Sequence, residues 1–358
     1  MGTQTADPPP SQGPELAEST NHLVIYLQVD SSSGRRPMNP DRGSGSRQTG
    51  AALPPILDAI GNTPIVELRR LVPAGSGRVL VKLEWANPTG SMKDRMARAV
   101  IEGAERKRQL RPGGTVVDYT SGTTGISLAF VCAAKGYRLH AIFSDAFSEE
   151  KRRTMRAFGA ELTDVPSDRK RITAPLIKEM ITTAERVSRR PDHWWADQLN
   201  NRDAVSGYVP LGEEIWAQTG GRVDWFVQAV GTAHSIHGAT QGLRRHGPKV
   251  RIAAVEPAES PVLSGGPSGS HRIEGIGIGF VPPLWEREQV DEIIPVSSEE
   301  AMAMSRRLAR EEGLFAGTSS GANVVAALRV AARAGPEATV VTLMVDSGLR
   351  YLSTGLYP

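Results

Sequence analysis

Lys93 ends a Gly-Ser-Met step in the stretch Asn87-Pro-Thr-Gly-Ser-Met-Lys93-Asp-Arg95. A lysine amine does covalent chemistry when the chain buries it among polar partners, and is otherwise a solvated cation. Three hydroxyl-rich loops elsewhere in the chain bear on which applies. The first, Tyr119 to Gly125, carries Thr120, Ser121, Gly122, Thr123 and Thr124. Hydroxyls and glycines at a helix N-terminus leave backbone N–H groups free for an anion, though the same residues also serve as a turn and cap. The second, residues 229–238, places Gly231, Thr232 and Ser235 where a phosphate can be cradled. It has neither the Gly-Lys-Ser/Thr ending of a nucleotide-binding loop nor the three spaced glycines of a dinucleotide fold. His234 and His237 lie three apart in it, but a third ligand is not evident nearby, so no metal is expected. The third, residues 316–323, reads Ala-Gly-Thr-Ser-Ser-Gly-Ala-Asn. Three such loops in one chain are more than capping requires.

The elements around these loops explain their placement. β-rich runs alternate with helical stretches: Arg78 to Trp85 before 92–109, Thr115 to Thr120 before 124–135, and Arg138 to Asp145 before 148–158. Trp225 to Val230 precedes 235–246, and a helix near 320–334 precedes Thr339 to Asp346. This alternation predicts an α/β protein with mainly parallel sheets covered on both faces, where ligands bind beyond the carboxyl ends of strands. All three loops stand at such ends.

Composition narrows the function classes. A chain of 358 residues, 39% apolar and 23% charged, suits two domains with a substantial core. Its 42 basic and 39 acidic residues leave a net charge of +3, and its short basic runs lack interleaved aromatics, which argues against nucleic-acid binding. Cys132, the single cysteine, lies in an apolar helical run and reads as a core residue. No apolar segment is long enough for a membrane span, and the cytoplasm is the default compartment. Residues 1–50 hold six Pro, six Gly and seven Ser, the composition of a disordered extension. Its one apolar octet, residues 22–29, is suited to pairing with a sheet edge.

The motifs together resemble the cysteine synthase and cystathionine β-synthase family of pyridoxal phosphate (PLP) enzymes, from Ile60 to Pro358. The resemblance implies fold type II: two α/β domains with PLP in the cleft between them, usually as a homodimer. Residues 51–86 would join the larger domain, 198–358, and 87–197 would form the smaller. Lys93 matches the Schiff-base lysine. Thr120, Ser121, Gly122 and Thr124 match the substrate-carboxylate loop, with Gln198 and Gly275 also at the substrate. Gly231, Thr232, Ala233, His234 and Ser235 take the place of the phosphate loop, and Ser319 that of the hydroxyl at the pyridine nitrogen. Two departures stand out. Thr123 replaces the Asn that meets the cofactor's 3′-oxygen, and Ala233-His234 replaces a Gly-Gly pair, offering a histidine as a possible positive charge.

The implied reaction is β-replacement on an activated L-serine, O-acetylserine or O-phosphoserine, by a sulfur nucleophile, giving L-cysteine. The alternatives are S-sulfocysteine, cystathionine or another β-substituted alanine. From other classes come a catalytically silent regulatory binding protein and a dehydrogenase, the latter opposed by the missing dinucleotide fingerprint. The segment Asp197 to Trp216 is expected to bring Arg202 and Tyr208 towards the cleft. There Arg202 is either an anion-binding group or a surface cation.

Overall fold

The computed structural model describes residues 1–2, 55–169 and 171–357. The extension expected over 1–50, with its apolar octet, therefore lies almost wholly outside the described residues. Leu53–Pro358 forms one compact unit by itself.

In chain order, β1 (Ile65–Glu67) pairs antiparallel with β2 (Arg78–Leu83), and α1 (Lys93–Arg106) follows. Next come β3 (Thr115–Tyr119), α2 (Thr123–Lys135), β4 (Arg138–Ser144), α3 (Glu149–Ala157) and β5 (Glu161–Val165). After α4 (Ala174–Ser188) and β6 (His193–Trp195), a short α5 (Asp203–Ser206) leads into α6 (Val209–Gln218). The remainder is β7 (Trp225–Ala229), α7 (His234–Arg244), β8 (Arg251–Pro257), β9 (Glu292–Val296), α8 (Ser298–Arg307), α9 (Thr318–Ala334) and β10 (Thr339–Met344).

Two sheets result. The larger has the order β1-β2-β10-β7-β8-β9 and is parallel beyond its first pair. The smaller, β5-β4-β3-β6, is parallel throughout and draws every strand from 115–195. Strands β3, β7 and β10 are buried at every residue, which parallel packing under helices requires and which their Val-rich sequences permit. Helix α2 is buried over all of Thr123–Cys132 and stops at Gly136, a left-handed residue at φ 76°. Cys132 is buried there among apolar side chains, and burial pushes its thiol up to about 12, so it is a core residue as its sequence surroundings suggested.

Helix α1 sets the position of Lys93. Its buried stripe, Ala97, Val100, Ile101 and Ala104, has helical spacing and faces the core. Its first turn is fixed by charge. Arg95 Nε and Nη2 donate to the Glu84 carboxylate at 2.7 and 2.8 Å, and Nη1 donates to Glu214 at 2.7 Å. Lys82 Nζ donates to the other Glu214 oxygen at 2.7 Å and to Thr63 O at 2.6 Å. Lys82, Glu84 and Arg95 are buried, and each has the partners that a buried charge needs. This ties α1 to β2 and α6 two residues beyond Lys93.

Tyr208 packs beside this cluster rather than at the cleft. It is fully buried, its hydroxyl has no partner among the described residues, and Glu84, Arg95 and Asp94 surround it. The apolar contacts of its ring decide its place, contrary to the expectation from sequence. Arg202 is at the surface, 76% exposed, with Nη1 3.4 Å from Glu286. Arg202 and Glu286 line a separate small cavity that shares no residue with the compartment around Lys93, which favours the surface-cation reading.

Candidate active site

The carboxyl ends of β3, β7 and β10 converge on Lys93. Met92 N donates to Val345 O at 3.0 Å and Ser347 N to Gly90 O at 3.0 Å, so the exit of β10 clasps the lysine loop. Lys93 opens α1, and its side chain, partly accessible, lines two adjoining compartments of about 70 and 20 Å³. Desolvation lowers its amine from 10.5 to about 8, opposed by the nearby Asp346. A wider basin of about 930 Å³ lies outside and shares Phe147, Ile172 and His271 with the larger compartment.

The loop after β3 supplies hydroxyls. Ser121, Thr123 and Thr124 line the larger compartment. Thr120 does not; its oxygen accepts from Gly122 N and Gly125 N, both at 2.9 Å, and so shapes the turn. Gly122 holds φ 115°, and a Cβ there would sit 2.5 Å from the Lys151 stem, so both conformation and space demand glycine. Gln198 lines the compartment as well. It donates to Tyr119 O at 2.6 Å and accepts from Thr124 at 3.1 Å, which fixes that hydroxyl.

The loop after β7 forms the opposite end. Gly231 and Thr232 line both compartments, and Ser235 the smaller one. Ala233, the N-cap of α7, sits at φ 68°, a left-handed conformation that an alanine adopts with strain. Ser235 Oγ accepts from Gln228 Nε2, which leaves its own proton for an acceptor in the cavity. His234 is buried, with Nδ1 3.0 Å from Thr232 Oγ1. Burial and the neighbouring Lys93 drive its ring down to about 3, so it is neutral and brings no positive charge to this loop. His237 Nε2 accepts from Glu286 N at 3.0 Å, so the two histidines are engaged separately. Among the described residues no group of three His, Cys, Asp or Glu is gathered to hold a metal.

Gly275 lines both compartments, and Ser319, buried at the start of α9, faces the smaller. Four residues that sequence reading did not single out complete the surroundings. Asp346 and Tyr351 line the smaller compartment, as does Glu274 of the glycine loop, residues 274–279. Lys151, buried on α3, pairs with Glu274, and its ammonium lies 4.6 Å from the centre of the Tyr351 ring. Asp346 and Tyr351 lie in the last stretch of the family resemblance, residues 346–358, but nothing local in it shows which of its side chains turns inward.

An amine of lowered basicity shares one cavity with the hydroxyls at two helix N-termini and with the Ser319 hydroxyl. This donor set fits an aldehyde-bearing, phosphorylated heterocycle: an amine for the aldehyde, N–H and O–H donors for the phosphate, and a neutral hydroxyl for a ring nitrogen. The chain belongs to the pyridoxal-phosphate dependent enzyme family, whose pattern matches residues 56–346. Within that family it is similar to cysteine synthases. A Staphylococcus aureus cysteine synthase is 42% identical over 304 residues, covering 84% of this chain and 96% of that protein. The crystal structure of cysteine synthase from Entamoeba histolytica superposes with a TM-score of 0.79 at 36% identity, covering 88% of this chain and 94% of the other. That of an O-ureido-L-serine synthase gives 0.80 at 39% identity, covering 85% and 95%. The fold is the type II arrangement of such enzymes.

Proposed function

We propose that this PLP-dependent enzyme replaces the β-substituent of an activated L-serine, O-acetylserine or O-phosphoserine, with a sulfur nucleophile to give L-cysteine. The observation that carries the reading is the Lys93 amine, set where the loops after β3, β7 and β10 meet. Bound PLP supplies an electron sink for bond changes at Cα and Cβ of the amino acid. Lys93 would carry the cofactor, and its amine, near 8, is suited to hold and move the proton at Cα at neutral pH. Ser121, Thr124 and the amides around Gly122 hold the substrate carboxylate, with Thr120 and Gln198 keeping the loop in shape. Thr232, Ser235 and the amides of residues 231–235 would hold the phosphate, and Ser319 would offer the ring nitrogen a neutral hydroxyl. The similarity to cysteine synthases supports sulfur as the incoming atom.

The proposal includes a homodimer in the cytoplasm, on the family resemblance. It also includes two lobes: 87–197, and 198–358 joined by 51–86. The four-stranded sheet falls wholly within the first of these. A second reading, synthesis of another β-substituted alanine, draws support from the O-ureido-L-serine synthase likeness. Two experiments test the proposal. Borohydride reduction of the holoenzyme followed by peptide mapping is expected to label Lys93; a label on another lysine sinks the assignment. Incubation with sulfide and each activated serine is expected to yield cysteine. Bound cofactor with no turnover of either donor would point to a silent binding protein, and turnover only with a non-sulfide nucleophile to the second reading.

A further inference from the structure

Asp346 leaves β10 and forms an isolated bridge with Ser91, two residues before Lys93. Its side chain is buried at 2% exposure and lines the smaller compartment beside Lys93. Both hydroxyl donors reach one oxygen: Oδ2 accepts from Tyr351 OH at 2.8 Å and from Thr123 Oγ1 at 3.4 Å. Oδ1 has no partner among the described residues. A Cβ on Gly317 would sit 2.4 Å from Oδ1, so the glycine there is what admits this oxygen.

The two donors mark Oδ2 as an acceptor. A proton on Oδ1 would then be a buried donor without an acceptor, an arrangement native structures avoid. Two donors on Oδ2, with Lys151 and Arg350 nearby, fit a carboxylate with one oxygen tied down and the other, Oδ1, packed against Gly317. The charged and titratable groups facing it come from four elements. They are Lys93 of α1, Lys151 of α3, Arg350 and Tyr351 of the turn Gly348–Tyr351, and Glu274 of the glycine loop. Lys151 and Glu274 offset one another as a pair, and His234 of α7 is neutral. Burial disfavours the charge on Asp346, while Arg350, Lys151 and the Tyr351 hydroxyl favour it.

We propose that Asp346 is a positioning residue of the Lys93 site, a carboxylate that fixes the Thr123 hydroxyl and, across the smaller compartment, supplies the countercharge of the lysine amine. Thr123, which departs from the resembled family's Asn, is the residue whose hydroxyl the carboxylate holds, so the two positions work as one unit. The inference rests on Lys93 as the cofactor-bearing residue.

The test is a pH titration of the lysine–cofactor absorption band in the holoenzyme, with circular dichroism to check folding. In Asp346→Asn the midpoint is expected to fall by about one unit or more, the usual effect of removing a close opposite charge. Thr123→Val keeps the carboxyl group but removes a donor that stabilises its ionised form, so it weakens the countercharge and is expected to lower the midpoint by less. An Asp346→Asn chain that folds, retains cofactor and titrates with the wild-type midpoint overturns the proposal. Where that variant does not fold, Thr123→Val decides: a lowered midpoint supports the proposal and a wild-type midpoint overturns it. A wild-type holoenzyme with no lysine–cofactor band overturns the underlying assignment of Lys93, which keeps the two failures distinct.

Discussion

Ala233 and Lys93 show what single residues contribute. Ala233 occupies a left-handed conformation that costs an L-residue about 1–2 kcal/mol, and it does so where the loop after β7 turns into α7. Ala233→Gly removes that strain but adds about 0.5–1 kcal/mol of chain entropy to the unfolded state, so Tm is expected to change little. Ala233→Val places a β-branched side chain at φ 68° and is expected to destabilise by about 1–3 kcal/mol and loosen cofactor retention. Calorimetry and dialysis of the holoenzyme read both; equal behaviour of the two variants would show that the loop relaxes out of this conformation. For Lys93, the neutral amine is the nucleophile, and its proton is lost near pH 8 instead of 10.5. Capture of added PLP by apoprotein is therefore expected to accelerate as pH rises through about 8 and then level off. A rate still climbing towards pH 10 would mean that the amine is solvated.

At the scale of elements, the register of α1 depends on a charge cluster rather than on helix propensity. Arg95 neutralises Glu84 and Glu214 together, and Arg95→Met would leave both carboxylates short of a partner. Breaking a buried pair in this way costs about 3–5 kcal/mol. A loss of that size in denaturant unfolding, together with weakened cofactor binding, is the expected outcome, because the first turn of α1 holds Lys93. A loss of stability with cofactor affinity intact would separate the cluster from the site. The cluster also predicts acid sensitivity. Hydrogen bonds and charge from Arg95 and Lys82 outweigh desolvation and bring Glu214 down from 4.5 to about 2. Between these values the folded chain binds fewer protons than the unfolded one, so stability falls as pH drops through that window. Glu214→Gln is expected to flatten this part of the unfolding profile; an unchanged slope would place the acid response elsewhere.

Across the molecule, function is concentrated in the part that carries the two sheets. The family match spans 56–346, and every proposed site residue lies between Lys93 and Asp346. A chain beginning at Ala51 is expected to keep its cofactor and its turnover. A large loss of kcat would mean that the apolar octet at 22–29 docks on the folded body. Arg202 lies in the same connecting segment as Tyr208, yet it is solvated and, among the described residues, paired only with Glu286. Arg202→Ala is accordingly expected to leave kcat/KM unchanged for sulfide and for an anionic donor such as thiosulfate alike. A selective loss with thiosulfate would show that this segment moves to the cleft during turnover.

Lys93 and the three loops were legible in the sequence because their signals are local. A β-rich run followed by glycines, hydroxyls and an apolar helix fixes a strand-to-helix junction, and parallel sheets gather such junctions at one end. The alternation of strands and helices likewise gave the α/β class, since it depends on periodicity within each segment. Partner choice between distant segments is not encoded that way. Tyr208 and Arg202 sit six residues apart in one polar stretch, and only the packing of α5 and α6 buries the first and exposes the second. Thr123 reads as a lost amide until the fold brings Asp346, itself held by Tyr351, to its hydroxyl. His234 reads as a cation beside a phosphate loop until its burial beside Lys93 removes the charge. The sequence set the chemistry available to the cavity. The tertiary structure decided which groups in it are charged, because desolvation and Coulomb energy depend on distances between segments far apart along the chain.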